Sequence, residues 1–133
     1  MKNKPCLTLD DCKKMISACE AEARRNKWEV AIAILDDGGH LLMLERMDGA
    51  TPFNAEVAVQ KGRGAAISRR STKMWEDRIK DGRLSMLDMP LLPVQGGIPI
   101  MHQGECVGAI GVSGVQSHED EQICLAGAAV LAA

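Results

Sequence analysis

Three histidines, five cysteines and an arginine–aspartate pair are the side chains of this chain with the chemistry to hold a metal ion or an anionic group. His40 follows Gly38-Gly39 and opens an apolar run. An imidazole there is either a metal ligand or an exposed histidine at a strand edge. His102, beside Gln103-Gly104, competes on the same terms. His118 falls in the first turn of a helix, where a neutral polar residue is unremarkable. The three are scattered without zinc-site spacing and can converge only through the fold. His118-Glu119 is no metalloprotease motif, because Gln122 stands where a second histidine is needed. Arg46 and Asp48 flank the approach to Gly49-Ala50. They either pair with each other and pin that turn, or Arg46 receives a ligand carboxylate in a bidentate contact. Lys61, Arg63, Arg69, Arg70 and Lys73 form a basic stretch that reads as a solvated face, offset by Glu76 and Asp77. Cys106 is a candidate thiol, but a buried strand cysteine is inert.

Other catalytic patterns fail on inspection. Gly111-Val112-Ser113-Gly114 resembles part of a nucleophile elbow, yet Val115 occupies the place of the last glycine. Gly62-Arg63-Gly64 lies within a helical pattern and is no dinucleotide fingerprint. No nucleophile–base pair is visible in the sequence.

The elements that position these residues follow from periodicity. Thr8-Leu9-Asp10-Asp11 predicts a capped helix start. Leu9, Cys12, Ile16, Cys19 and Ala23, widened by Met15, continue at helical spacing to about Asn26. Val30–Leu35 is a strand whose two faces are both apolar, which predicts a central strand covered twice. Asp36-Asp37-Gly38-Gly39 turns the chain into a partner strand, His40–Met47. A second helix is expected from about Asn54 to Arg70, with a face of small residues: Ala55, Ala58, Val59, Gly62, Ala65 and Ala66. Thr72–Lys80 reads as a short helix, and 81–93 as irregular and apolar. The Met86–Leu92 segment suits a lid over an apolar ligand or a subunit interface.

Gly96-Gly97-Ile98-Pro99-Ile100 and Cys106–Ser113 then form a hairpin around Gln103-Gly104-Glu105. Gly108 and Gly111 fall on opposite faces of its second strand, so something packs close on each side. Ser117-His118-Glu119-Asp120 predicts the start of a last helix, from Glu119 to about Ala132.

Composition sets the bounds. The 133 residues suit one domain, 1–133. A net charge of −2 excludes an electrostatic case for nucleic acid or an anionic membrane, and no apolar run is long enough to span a bilayer. With one Phe, two Trp and no Tyr there is no aromatic platform for bases or sugars, while eight Met supply adaptable apolar surface. The odd number of cysteines without a CxxC spacing reads as reduced and mostly buried thiols, and with no apolar leader visible in MKNKPCLTLDDCKK a cytoplasmic protein is expected.

Asp36-x-x-Gly39, Arg46-Met47-Asp48-Gly49-Ala50, Lys61, Gly96-Gly97-x-Pro99-Ile100, Gly104 and the run Val107–Gly114 resemble the GlcG/HbpS family. That family includes the C-terminal domain of PduO-type corrinoid adenosyltransferases. The resemblance spans nearly the whole chain, which departs from the pattern at Gly62 and at Gly64, where a hydroxyl is lost. It implies a profilin-like α/β (α+β) domain, a single antiparallel sheet flanked by helices, assembling into homo-oligomers. It also implies a ligand-binding protein, with little or no catalysis, for haem or a related tetrapyrrole, accessory to diol, glycerol or glycolate catabolism. The alternatives are an oligomeric structural or accessory protein without haem, or an enzyme on a small hydroxy acid or diol metabolite. Arg46, Lys61, Gly96, Gly97, His102 and His40 are the cofactor-binding candidates, and the Ala58/Gly62/Ala65 stripe with Gly108 and Gly111 is the expected subunit interface.

Overall fold

The computed structural model describes residues 1–131. Helix α1, Leu9–Arg25, begins where Thr8 Oγ1 accepts the Asp11 N–H at 3.2 Å and the Asp11 carboxylate accepts the Thr8 N–H at 2.9 Å. It buries Cys12, Met15, Ile16, Cys19 and Ala23, while Leu9, expected in this stripe, is exposed. Strands β1, Ala31–Asp36, and β2, Leu41–Arg46, form a hairpin. Helix α2 runs Pro52–Ser68, two residues earlier than expected, because Thr51 caps it and Pro52 sits at its first position. It ends before Arg69, which turns into the left-handed region at φ 60°. Helix α3, Thr72–Lys80, and a 3₁₀ turn at Leu84–Asp88 lead to β3, Gly97–His102, and β4, Glu105–Ser113. Helix α4 runs Ser117–Ala128. Its cap is Gln116 paired with Glu119, not Ser117, and the chain tightens into a 3₁₀ turn at Ala129–Leu131. The expected helix end at Ala132 lies outside the described residues.

The four strands form one antiparallel sheet in the order β2-β1-β4-β3, giving an α+β fold. Strand β1 is central and covered twice, as its two apolar faces require. Val30, Ile32 and Ile34 join Met15, Cys19, Ile123 and Cys124 in the main core under α1 and α4. Ala31, Ala33 and Leu35 meet Ala58 of α2 on the other face.

The small-residue stripe belongs to this second interface, which corrects its expected role between subunits. Ala58, Ala65 and Ala66 are fully buried within the chain. A methyl group at Gly111 would reach 2.5 Å from the Gly62 nitrogen, so the helix backbone lies directly on the strand. On the opposite face, a methyl at Gly108 would lie 2.5 Å from Leu7 Cδ1 of the N-terminal segment. In the irregular stretch after α3, Met86 is buried and anchors it, while Leu84 and Leu87 are exposed. Edge strand β2 leaves Leu41, Leu42 and Leu44 exposed.

Candidate functional site

The sheet has two chemically different ends. At one, β1 turns into β2 through Asp36–His40, and β3 turns into β4 after His102. At the other lie Arg46, Ser113 and Gly97, with the N-termini of α2 and α4. The sequence-predicted residues divide between these ends.

At the first end, Asp36 organises the turn. Its Oδ1 accepts the N–H groups of Gly38 and His40, each at 2.9 Å. The same carboxylate lies 3.1 and 3.2 Å from His40 Nδ1. An ionised carboxylate only accepts, so Nδ1 carries the proton and the Nε2 lone pair is free. Burial opposes ionisation of Asp36, but the His40 and Gly38 backbone donors and the imidazole outweigh it and hold the carboxyl below its ordinary range. The His40 side chain is 81% exposed, so Nε2 is open to a ligand.

Helix α2 passes beside this turn. A side chain on Gly39, whose φ is +82°, would meet Arg63 Cγ at 2.9 Å. Arg63 is exposed and makes no ion pair among the described residues. His102 is half-buried on a pocket of about 160 Å³ lined by Cys6, Leu7, Met101 and Val107 among others. No hydrogen bond among the described residues orients its ring.

At the second end, Lys61 is no part of a solvated face. Its Nζ donates to the Val112 carbonyl at 3.1 Å and to Asp120 Oδ2 at 3.0 Å. The two side chains are 3% and 2% exposed. Burial pushes the Asp120 carboxyl up, opposed by the Lys61 charge, and its Oδ1 accepts the Val115 N–H at 3.2 Å. Gly96 and Gly97 make the space for this lysine. A methyl at Gly96, with φ +129°, would stand 2.7 Å from Lys61 Nζ, and one at Gly97 2.7 Å from the Lys61 carbonyl carbon. The fold thus brings Lys61, Gly96 and Gly97 together.

A groove of about 540 Å³ opens over the pair, with Phe53, Val57, Leu92 and Val94 on its walls and Ser113 and Ser117 at its polar end. Arg46 stands apart on β2, exposed, and forms no ion pair with Asp48 among the described residues. Glu29 pins that turn instead, its Oε2 accepting the Gly49 N–H at 3.1 Å.

Sequence reasoning missed Asp36, Arg63 and Asp120 as partners. Asp36 carried a signal, since it stands four residues before His40 across a glycine turn. Lys61 carried one too, because it falls between Ala58 and Ala65 on the small-residue face. Cys12, Cys19, Cys106 and Cys124 are buried free thiols, and Cys6 is an exposed one. Among the described residues no three His, Cys, Asp or Glu side chains gather to hold a metal ion, and no helix is long and apolar enough to cross a membrane.

Comparison with known proteins places the chain in a family. The family model described as "Haem degrading protein HbpS-like" matches residues 7–129. Protein GlcG of Escherichia coli K12 is 44% identical over 133 residues, covering 99% of both chains. A crystallised double mutant of Streptomyces reticuli HbpS superposes with a TM-score of 0.90 at 32% identity, covering 98% of this chain and 90% of that one. A PduOC–haem complex superposes at 0.85 with 23% identity over 94% of each chain, a likeness of fold. The chain belongs to the HbpS-like family of haem-degrading proteins, the family that includes GlcG.

Proposed function

We propose that this protein binds haem or a related tetrapyrrole, and that His40 is the residue that meets the iron. The observation that carries this reading is the Asp36–His40 pair, a carboxylate-oriented imidazole with its second nitrogen facing solvent. Histidines that ligate metals are commonly held in this way, which fixes the tautomer and raises the basicity of the ligating nitrogen.

The surroundings suit the rest of the molecule. Leu41, Leu42 and Leu44 are 49%, 41% and 40% exposed on the strand that begins beside His40. They offer apolar surface to a macrocycle. Arg63 offers a cation to a propionate. A bound haem supplies an iron centre for redox or oxygen chemistry. The protein's part is to present the imidazole, fix its proton on Nδ1 and shield one face of the ring. His102 has no such orienting partner, and its pocket of about 160 Å³ is too small for a porphyrin.

Family membership supports the haem class, and the accessory role in diol, glycerol or glycolate catabolism stays with this reading. So does self-association. The exposed leucines of the open β2 edge give a second copy a surface to cover, and with it the ligand.

Haemin titration followed in the Soret region tests the assignment. The expected result is saturation near one haem per chain. His40→Ala should lose the ligated spectrum, Asp36→Asn should weaken binding, and His102→Ala should change nothing. An unchanged spectrum in His40→Ala overturns His40 as the ligand. Unsaturable binding overturns the haem reading itself.

A further inference from the structure

The groove at the opposite end of the sheet has no part in that reading, yet it is built around a buried charge. Lysine ammonium groups carry three N–H donors. Lys61 uses two, on Val112 and Asp120, and the third has no acceptor among the described residues. The Ser113 side chain has a similar surplus. Asn54 Oδ1 is occupied by the Thr51 N–H and hydroxyl, so Asn54 turns its amide nitrogen to Ser113 Oγ at 3.3 Å. Ser113 therefore accepts there, and its own proton is unused. Both are buried, Lys61 at 2% exposure and Ser113 at 5%.

The acceptors of the floor are already engaged. Asp120 Oδ2 takes Lys61 and Oδ1 takes the Val115 N–H. Each Asp120 oxygen already holds one donor, whereas the third Lys61 proton and the Ser113 proton hold no acceptor at all among the described residues. A buried donor without a partner is unfavourable, more so when charged, so the floor favours a ligand that brings an acceptor. The N-terminal ends of α2 and α4 add partial positive charge at the rim, where Asn54 and Ser117 line the groove. The acidic side chain facing them, Glu56, is exposed and solvent-screened.

The walls ask for something apolar. Phe53, the sole phenylalanine of the chain, is 71% exposed at the groove lip. Val57, Leu92 and Val94 continue the same surface inward. A volume of about 540 Å³ lies within the usual range for small-molecule sites.

We infer that this groove is a binding site for a small organic carboxylate with an apolar body, its carboxylate received by Lys61 Nζ and the Ser113 hydroxyl and its body laid along Val57, Leu92 and Phe53. This site is separate from the one at His40, and its test makes no use of haem.

Sodium benzoate and its uncharged isostere benzamide are the probes, titrated into ¹⁵N-labelled protein at matched ionic strength. Benzoate should give saturable shifts of the Gly114, Val115 and Ser117 amides. Benzamide should bind at least about tenfold more weakly, the loss of one charge-assisted hydrogen bond. Ser113→Ala should weaken benzoate. Val57→Trp, on a half-exposed wall, fills the groove without touching the ion pair and should abolish the shifts while the rest of the spectrum is retained. Lys61→Met should abolish them too, and the Val57 variant decides the matter if that protein does not fold. Absence of saturable benzoate shifts, equal binding of benzamide, or persistence of the shifts in Val57→Trp each overturns the assignment.

Discussion

Replacing Gly111 with alanine adds one methyl group at the closest approach of α2 to the sheet. That carbon would lie 2.5 Å from the Gly62 nitrogen, 2.9 Å from Gly62 Cα, and closer still to the Ala58 carbonyl oxygen. All three obstacles are helix backbone, so no rotamer change relieves them. The helix must lift from the strand. A gap of about 0.5–1 Å forfeits a quarter to a half of the dispersion energy of each contact it opens. The contacts at risk are those of Ala58, Ala65, Ala66, Leu35 and Ala109, all fully buried. The same lift stretches the Lys61 bonds to Asp120 and Val112. Overpacking alone costs about 1–3 kcal/mol, and weakening a buried ion pair adds to it. We expect about 3–5 kcal/mol in total, a large part of the ~5–15 kcal/mol that holds a domain folded.

Urea denaturation followed by circular dichroism measures this loss, with Gly104→Ala as the control. Gly104 has φ +80° and nothing within 4 Å of an added methyl, so only the left-handed backbone is taxed, by about 1–2 kcal/mol. If Gly111→Ala is no more destabilising than Gly104→Ala, the reasoning from backbone contact is wrong.

Gly62→Leu, which drives a side chain into Leu35 and β4, should cost the protein its helical signal rather than dissociate a folded assembly. Lys61→Met leaves Asp120 buried and unpaired and should cost about 3–5 kcal/mol; adding Asp120→Leu should recover more than half of that in the same denaturation assay. Thr72, fully buried, accepts the Gly97 N–H at 2.9 Å and donates to the Gly97 carbonyl at 3.3 Å, so Thr72→Val should cost about 1–3 kcal/mol by thermal melting. Glu45 Oε2 is buried without a hydrogen-bond partner among the described residues, and burial, reinforced by the neighbouring Glu20, pushes its carboxyl from 4.5 up to about 7. Because the folded value lies above the unfolded one, this group leaves stability intact below pH 4.5, erodes it as pH rises toward about 7, and costs a constant amount above that. Discounted for its partial exposure, the penalty is about 1 kcal/mol, so Glu45→Gln should stabilise the protein by that amount above pH 7 and hardly at all below pH 4.5, read from the pH dependence of the urea midpoint.

The elements were legible because local patterns decide them. The two apolar faces of β1 declare a central strand, and Thr8 with Asp11 declares a helix start. Lys61 was misread for a physical reason. Its charge argues for solvent, while its helical phase, between Ala58 and Ala65, argues for burial. The phase wins only because Asp120 arrives from 59 positions away to neutralise it, and nothing local announces that pairing. The small-residue stripe was ambiguous in the same way. Alanines and glycines on a helix permit close packing on any flat surface, and only the register of β4, which sets Gly111 against Gly62, shows that the surface is the chain's own sheet. His40 is the contrary case: its orienting carboxylate lies four residues away, within the same turn.

Helix α2 contributes to both ends of the molecule. Lys61 and Arg63 are two positions apart, and such residues do not share a helix face; the first points to the Asp120 floor and the second flanks the turn at His40. Between them Gly62 is locked against Gly111. Coupling between two distant ligand sites needs an element with two arrangements that both ligands bias. A helix whose backbone rests on strand backbone at that very residue resists sliding, which would drive Gly62 into the β4 main chain and pull Lys61 from Val112 and Asp120. We therefore expect the two proposed sites, though built on one helix, to be energetically separate. On this geometry an occupant of the groove should not change how His40 is presented.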